Sequence, residues 1–214
     1  MATLLLRLEG PMQSWGVSSR FTERGTAREP TKSGVIGLIA AAMGRGRNMP
    51  LDDLTSLRMA VRVEREGAIR RDFQTALEVP KANKNKNETS ISNRYYLADA
   101  CFLVGLEGPT ELLMAIRDAF LKPVWPIYLG RKAFIPSSPI VTDDELMADP
   151  VEKVLKTRPW LGRRGERAPE RLRAIFECEA GEGVEQMDVP ISFEKREFVP
   201  RFVRSEYITL SEVF

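Results

Sequence analysis

The chain has 214 residues, with 32 lysines and arginines against 30 aspartates and glutamates, two cysteines and no histidine. That length favours one substantial core with a smaller unit appended, and a net charge of +2 does not by itself favour a polyanionic partner. The lack of histidine and of any Cys-x-x-Cys pair argues against structural zinc and haem, and no stretch approaches the roughly 20 apolar residues of a membrane span.

The first apolar run, 4–8, fits a central strand buried on both faces. It is too short for a signal peptide and lacks a cleavage-like site, so a cytoplasmic protein is expected, with Cys101 and Cys178 as small buried side chains in a reducing compartment. The run breaks at Gly10-Pro11 into the loop Met12-Gln13-Ser14-Trp15-Gly16, and a basic, glycine-punctuated segment then leads to a small-residue helix over 32–44. Thr31 is the expected N-cap. The amides of Lys32 and Ser33 then lie where the helix dipole favours an anion, and phosphate is the natural candidate. A Walker A loop is set aside because the G-x-x-x-x-G-K-[ST] spacing is missing. Between 16 and 47 there are six basic residues, Arg20, Arg24, Arg28, Lys32, Arg45 and Arg47, against two acids. With Trp15 and Phe21 among them, this is either the basic and aromatic mixture that tracks single-stranded nucleic acid or a solvated loop with two aromatics in the core.

Two runs with period-two alternation, 58–65 and 69–77, predict a half-exposed hairpin. The next segment, 80–90, carries Lys81, Lys84 and Lys86 with almost no apolar content, so it is either an exposed basic projection or a disordered loop. A single strand over 95–105, a helix over 110–121 with Thr110 as N-cap, and a last strand over 124–129 complete a βαββαβ order. That order predicts an α+β, ferredoxin-like or RRM-type domain, although the RNP consensus that lets an RRM sheet stack bases is not visible. Gly130-Arg131-Lys132 follows as a turn.

Composition shifts near 140, giving a domain over 1–140 and a small β-containing unit over 141–214 with one or two short helices, a basic loop around Trp160 and strands near 172–177, 189–193 and 201–210. Charge is segregated: 153–173 holds eight basic residues against two acids, whereas 177–197 is acidic. Such segregation suits a chain that grips RNA with one surface and proteins with another, or else marks solvated faces.

The runs LRLEGPMQSWG and SSRFTERGTAREPTKSGVIGLIAAAMGR resemble the opening of the Cas-five family, the CasD-type subunits of type I-E CRISPR Cascade among the repeat-associated RNA-binding proteins. Further similarity follows in order at 92–100, 128–132 and 198–204, so it spans nearly the whole chain. The resemblance implies a cytoplasmic, non-catalytic subunit without a cofactor that holds the 5′ handle of a crRNA in defence against foreign nucleic acid. Its implied partners are that crRNA, a CasC-type backbone subunit and a CasA-type large subunit, with target DNA nearby. It also implies that a projecting insertion, here 79–94 with Lys84, Lys86 and Arg94, is a thumb crossing the crRNA. In this reading Arg20, Arg24, Arg28 and Lys32 contact phosphates beside Ser33, and Trp15, Phe21 or Tyr95 stacks bases. Gln13 and Ser14 read base edges, while Arg131 and Lys132, on the glycine-rich turn such proteins use, close the far side. Related Cas-five proteins that process crRNA employ histidine. A nuclease here would need Tyr95, Tyr96 or a lysine of depressed pKa, which leaves a metal-independent endoribonuclease and a purely structural adaptor as alternatives.

Overall fold

The leucines of the first strand alternate between two buried faces, and that alternation sets the architecture. The computed structural model describes residues 1–214 except 18, 21, 82–83, 143–144, 164 and 211–214, with backbone only for 19–20, 81 and 84–86. In chain order the elements begin with β1 (Ala2–Glu9), β2 (Met12–Gln13), β3 (Ser19–Arg20), β4 (Glu23–Arg24), α1 (Lys32–Ala42) and α2 (Asp52–Thr55). Next come β5 (Arg58–Arg65), β6 (Ala68–Lys81), β7 (Lys84–Ala98), β8 (Cys101–Gly108) and α3 (Thr110–Leu121). The chain closes with β9 (Leu146–Met147), α4 (Val151–Thr157), β10 (Arg171–Cys178), β11 (Val184–Ser192) and β12 (Glu197–Thr209). The class is mixed α and β, with strands in the majority.

Seven strands form one antiparallel sheet in the order β11-β12-β10-β5-β8-β1-β9. Leu4, Leu6 and Leu8 of β1 join the core under α1 and α3, while Leu5 points through the sheet to Leu103, Phe176 and the α4 residues Val151, Val154 and Leu155. Both faces are therefore covered, and each fully buried leucine contributes about 1.5–3 kcal/mol. The second sheet has the order β2-β7-β4-β3, with β6 also paired to β7.

Several expectations are corrected by pairing that no local pattern specifies. The runs 58–65 and 69–77 do not pair with each other, because β5 lies between β8 and β10 while β6 pairs with β7. β5 is buried on both sides, so it suits a central position, and the chain changes sheets after it. The expected single strand over 95–105 is broken at Asp99, whose φ of 63° lies in the left-handed region that aspartate tolerates. No strand forms over 124–129. That segment instead closes the end of α1, with Val124 N–H donating to Ala42 O at 2.9 Å and Trp125 N–H to Ala41 O at 3.3 Å. The place beside β1 is taken by the two-residue β9. Thr110 is the first helical residue of α3, and Pro109 holds the cap position. The segment 79–94 belongs to a longer hairpin made of β6 and β7. Beyond 141, β10 pairs with β5, and β10, β12 and β11 extend the main sheet.

A buried ion pair fixes α4 to this sheet. Arg62 on β5 is fully buried and donates to Glu64 Oε1 at 2.5 Å, Leu155 O at 2.5 Å, Arg158 O at 2.6 Å and Pro159 O at 2.9 Å. Three of these acceptors are carbonyls at or just past the C-terminus of α4, so the guanidinium caps the helix where a cation is favoured. Glu64 in turn accepts the Leu161 N–H at 2.9 Å. Arg62→Met removes the cap and leaves a buried carboxylate without its cation. The expected loss is about 3–5 kcal/mol of unfolding free energy, read from the urea midpoint.

Candidate nucleic-acid interface

The amino terminus of α1 has the expected cap, because Thr31 Oγ1 accepts the Gly34 N–H at 3.2 Å. The anion there is internal. Lys32 N–H donates to Asp188 Oδ2 at 2.7 Å, and Arg201 holds the same carboxylate through Nε at 2.7 Å and Nη2 at 3.0 Å. Glu177 Oε1 accepts from Lys32 Nζ and from Arg201 Nη1, each at 3.0 Å. Burial lowers the Lys32 pKa against the opposing pull of Glu177. Burial also pulls Arg201 down, but the two carboxylates outweigh it and its pKa is raised. The network is neutral and Lys32 is buried, so the phosphate site expected at Lys32 is already filled by Asp188.

The 12–16 loop is likewise turned inward. Gln13 is fully buried, with Nε2 donating to Leu8 O at 3.0 Å and Ala100 O at 2.8 Å while Oε1 accepts Trp15 Nε1–H at 3.2 Å. Its amide has no group left for a base edge. Ser14 is buried and its hydroxyl faces Tyr95 O at 3.5 Å. Trp15 is only 1% exposed and lies so close to α1 that a Cβ at Gly34 would stand 2.7 Å from its ring. It is a core residue rather than a stacking platform. Its backbone closes the following loop, with Trp15 N–H donating to Thr26 Oγ1 at 2.9 Å and Ala27 N–H to Trp15 O at 2.6 Å.

Three other expected residues do converge. β4 runs parallel to β7 with Arg24 opposite Arg94, and Arg131 Nη2 donates to Tyr95 O at 2.7 Å. The Arg131 guanidinium also lies 5.3 Å from the Phe134 ring centroid. Burial lowers its pKa, and the charges of Arg94 and Arg24 lower it further against the pull of Asp72. A cluster of mutually repelling guanidiniums is a place where a polyanion is favoured. Gly130 makes the position possible. Its φ is +95°, and a Cβ there would overlap the Ser14 carbonyl oxygen.

The remaining expected residues are dispersed. Arg28 and Lys132 are exposed, and Ser33 is half-buried with Oγ 3.4 Å from Thr31 Oγ1. Tyr95 is half-buried, and Tyr96 packs its ring 5.8 Å from that of Phe134. Arg20, Lys84 and Lys86 are described by backbone alone, on β3 and β7, and Phe21 lies outside the described residues. Among the described residues no group of three or more metal-ligating side chains gathers to hold a metal ion.

Sequence reasoning passed over an open groove of about 550 Å³ beside α1. Its floor is Gly34, Gly37, Ala40 and Ala41, its aromatic walls are Trp125, Tyr128, Phe193 and Phe198, and Arg45, Arg47 and Arg196 line it as well. Gly130, next to Arg131 in the chain, lines it too. The one local signal was the small-residue stripe on α1; the aromatic walls come from two separate stretches of chain, 125–128 and 193–198.

The family model described as CRISPR-associated protein (Cas_Cas5) matches residues 3–204. The chain is 33% identical over 176 residues to the CRISPR system Cascade subunit CasD of Escherichia coli K12, covering 73% of this chain and 77% of that protein. A solved structure described as a Cas protein aligns with a TM-score of 0.81 at 43% identity, over 97% of this chain and 95% of the other. A chain of a CRISPR RNA-guided surveillance complex aligns with a TM-score of 0.81 at 36% identity, over 97% and 90%.

The inward position of Trp15 has a measurable consequence. Trp15→Ala is expected to lower the unfolding free energy by about 3–5 kcal/mol in a denaturant titration. A side chain held out for base stacking would leave that value nearly unchanged.

Proposed function

The chain belongs to the Cas5 family of CRISPR-associated proteins, and on that premise we propose that it is the Cascade subunit that holds the 5′ handle of the crRNA without cutting it. The observation that carries this reading is the cluster of Arg24, Arg94 and Arg131, in which Arg131 is destabilised as a cation by burial and by its neighbours. A phosphate backbone relieves that repulsion and releases its own counterions. The long β6–β7 hairpin beside the cluster is the thumb, and it crosses the RNA where the handle meets the spacer. The order β9-β1-β8-β5, with α1 and α3 as crossovers, supports a ferredoxin-like core beneath the interface.

The complex supplies the partners: a CasC-type backbone subunit, a CasA-type large subunit and, through them, target DNA. The remaining polar surface serves those contacts in the cytoplasm. Cleavage is not part of the role. The sequence has no histidine, Tyr96 is packed against Phe134, and Lys32, whose pKa is lowered, is buried against Glu177. Among the described residues, the buried Lys32 and the packed Tyr96 do not offer an accessible group for proton transfer to an RNA hydroxyl.

Arg24→Ala and Arg94→Ala are each expected to weaken binding of repeat-derived single-stranded RNA, and each to reduce the slope of log K against log salt by about 0.7. Unchanged affinity and slope in both variants would remove the cluster from the interface. Incubation of labelled repeat RNA with the protein, with and without EDTA, is expected to leave it intact. A discrete product in both lanes would identify an endoribonuclease instead.

A further inference from the structure

Resting on the reading as a Cascade subunit, we propose that the free edge of β11 docks an extended, basic segment of a neighbouring protein subunit, which adds to the sheet as a further strand. β11 is the last strand of the seven-stranded sheet and pairs only with β12 among the described residues. Its outer edge therefore presents backbone N–H and C=O groups to a chain that lies alongside, the arrangement that strand addition exploits. The register with β12 is continuous over Val184, Glu185 and Gln186, then shifts after Gln186 and again after Pro190, which has no N–H to offer. The open part of the edge is thus the amino-terminal half of the strand.

That half is also apolar. Native edges are ordinarily blunted by charges, prolines or bulges, and in β11 the proline and the second irregularity guard only the later residues, while Val184 is left 71% exposed and Met187 60%. Beside them, a cleft of about 290 Å³ between β11 and the loop after Trp15 has Val17, Ala27, Pro30 and Met187 on its walls. This is below the ~300–1,000 Å³ of ordinary small-ligand sites and suits a single side chain. Val17 is itself 63% exposed, so the apolar surface continues from strand to loop.

Charge decides the occupant. Residues 177–197 contain seven acids against two bases, whereas the rest of the chain has 30 bases against 23 acids. Glu29 is held by Arg173 at 3.0 Å and Asp188 by Arg201 at 2.7 Å, but Glu179, Glu182 and Glu185 are exposed with no ion-pair partner among the described residues. This edge repels a phosphate backbone, and a second copy of the chain would bring the same acids against them. A partner strand with lysines or arginines flanking an apolar residue complements both the carboxylates and Met187. Asp188 is pinned to the Lys32 amide at 2.7 Å, so β11 is held in place before the partner arrives and little ordering is left to binding.

The test compares hydrogen exchange of the 184–187 amides in the free chain and in the complete complex assembled around it with its crRNA. Assembly is expected to slow those amides by about tenfold or more. Glu185→Lys and Met187→Lys change exposed side chains and are expected to melt like wild type and to bind repeat-derived RNA with unchanged affinity. Each is expected to weaken retention of one neighbouring subunit by about tenfold in size-exclusion chromatography of the complex. Unchanged exchange at 184–187 in a complex that holds its crRNA overturns the edge and leaves the crRNA reading standing. Slowed exchange in the isolated chain at raised concentration, with a dimer in sedimentation, overturns it by assigning the edge to a second copy. Loss of RNA affinity in both variants of the isolated chain overturns it by placing RNA there. A complex that assembles with slowed 184–187 amides yet retains no RNA supports the edge and removes the crRNA reading.

Discussion

Asp188 occupies the amino terminus of α1, and much of the surrounding arrangement follows from that contact. The carboxylate accepts the Lys32 amide and both arms of Arg201, while Glu177 balances the remaining cations. A single neutral network thereby joins α1 to β10, β11 and β12. Removing one partner would strand a buried charge at a cost of several kcal/mol, so the network holds the edge of the sheet against the helix more by the penalty for breaking it than by net attraction. It also takes away the most obvious anion site in the chain. In the proposed interface, phosphate recognition falls to guanidiniums carried by other elements.

Those guanidiniums are placed by a second set of buried contacts. Gln13 bridges the end of β1 to the start of β8 and orients Trp15, which is inserted against Gly34. Ser14 N–H then donates to Leu129 O at 3.0 Å, bringing the Gly130 turn beneath the loop and Arg131 onto the Tyr95 carbonyl. Residues that in the sequence have the chemistry to read bases are here spent on positioning a residue that has the chemistry to bind phosphate. The same turn borders the groove, so cluster and groove share one structural support.

The parts legible in the sequence are those whose signal is local. The apolar run of β1, the Thr31 cap and small-residue face of α1, the period of α3 and the alternation near 172–177 and 201–210 each encode their own element. What failed was long-range choice. The runs 58–65 and 69–77 alternate alike, yet β5 is completed by α4 and β10 while β6 is left to β7. The apolar segment 124–129 has strand composition, but its first two amides, of Val124 and Trp125, are used by the last carbonyls of α1. Of the candidates named from sequence, Arg24, Arg94 and Arg131 lie close together in the fold, whereas Gln13, Trp15 and Lys32 are buried, because residue type does not reveal burial. The groove walls belong to segments more than 60 residues apart, 125–128 and 193–198, and nothing in the sequence brings them together.

The central claim is that an RNA phosphate backbone rests on the arginine cluster, and a thermodynamic cycle reaches it most directly. Single phosphates of a repeat-derived RNA are replaced by uncharged methylphosphonates, and the affinity of each RNA is measured for the wild-type chain and for an Arg24→Ala, Arg94→Ala double variant. A short contiguous set of positions should weaken binding to wild type and have almost no effect on the double variant, the non-additivity expected of groups in contact. Fully additive losses at every position would show that the phosphates lie elsewhere and would contradict the account.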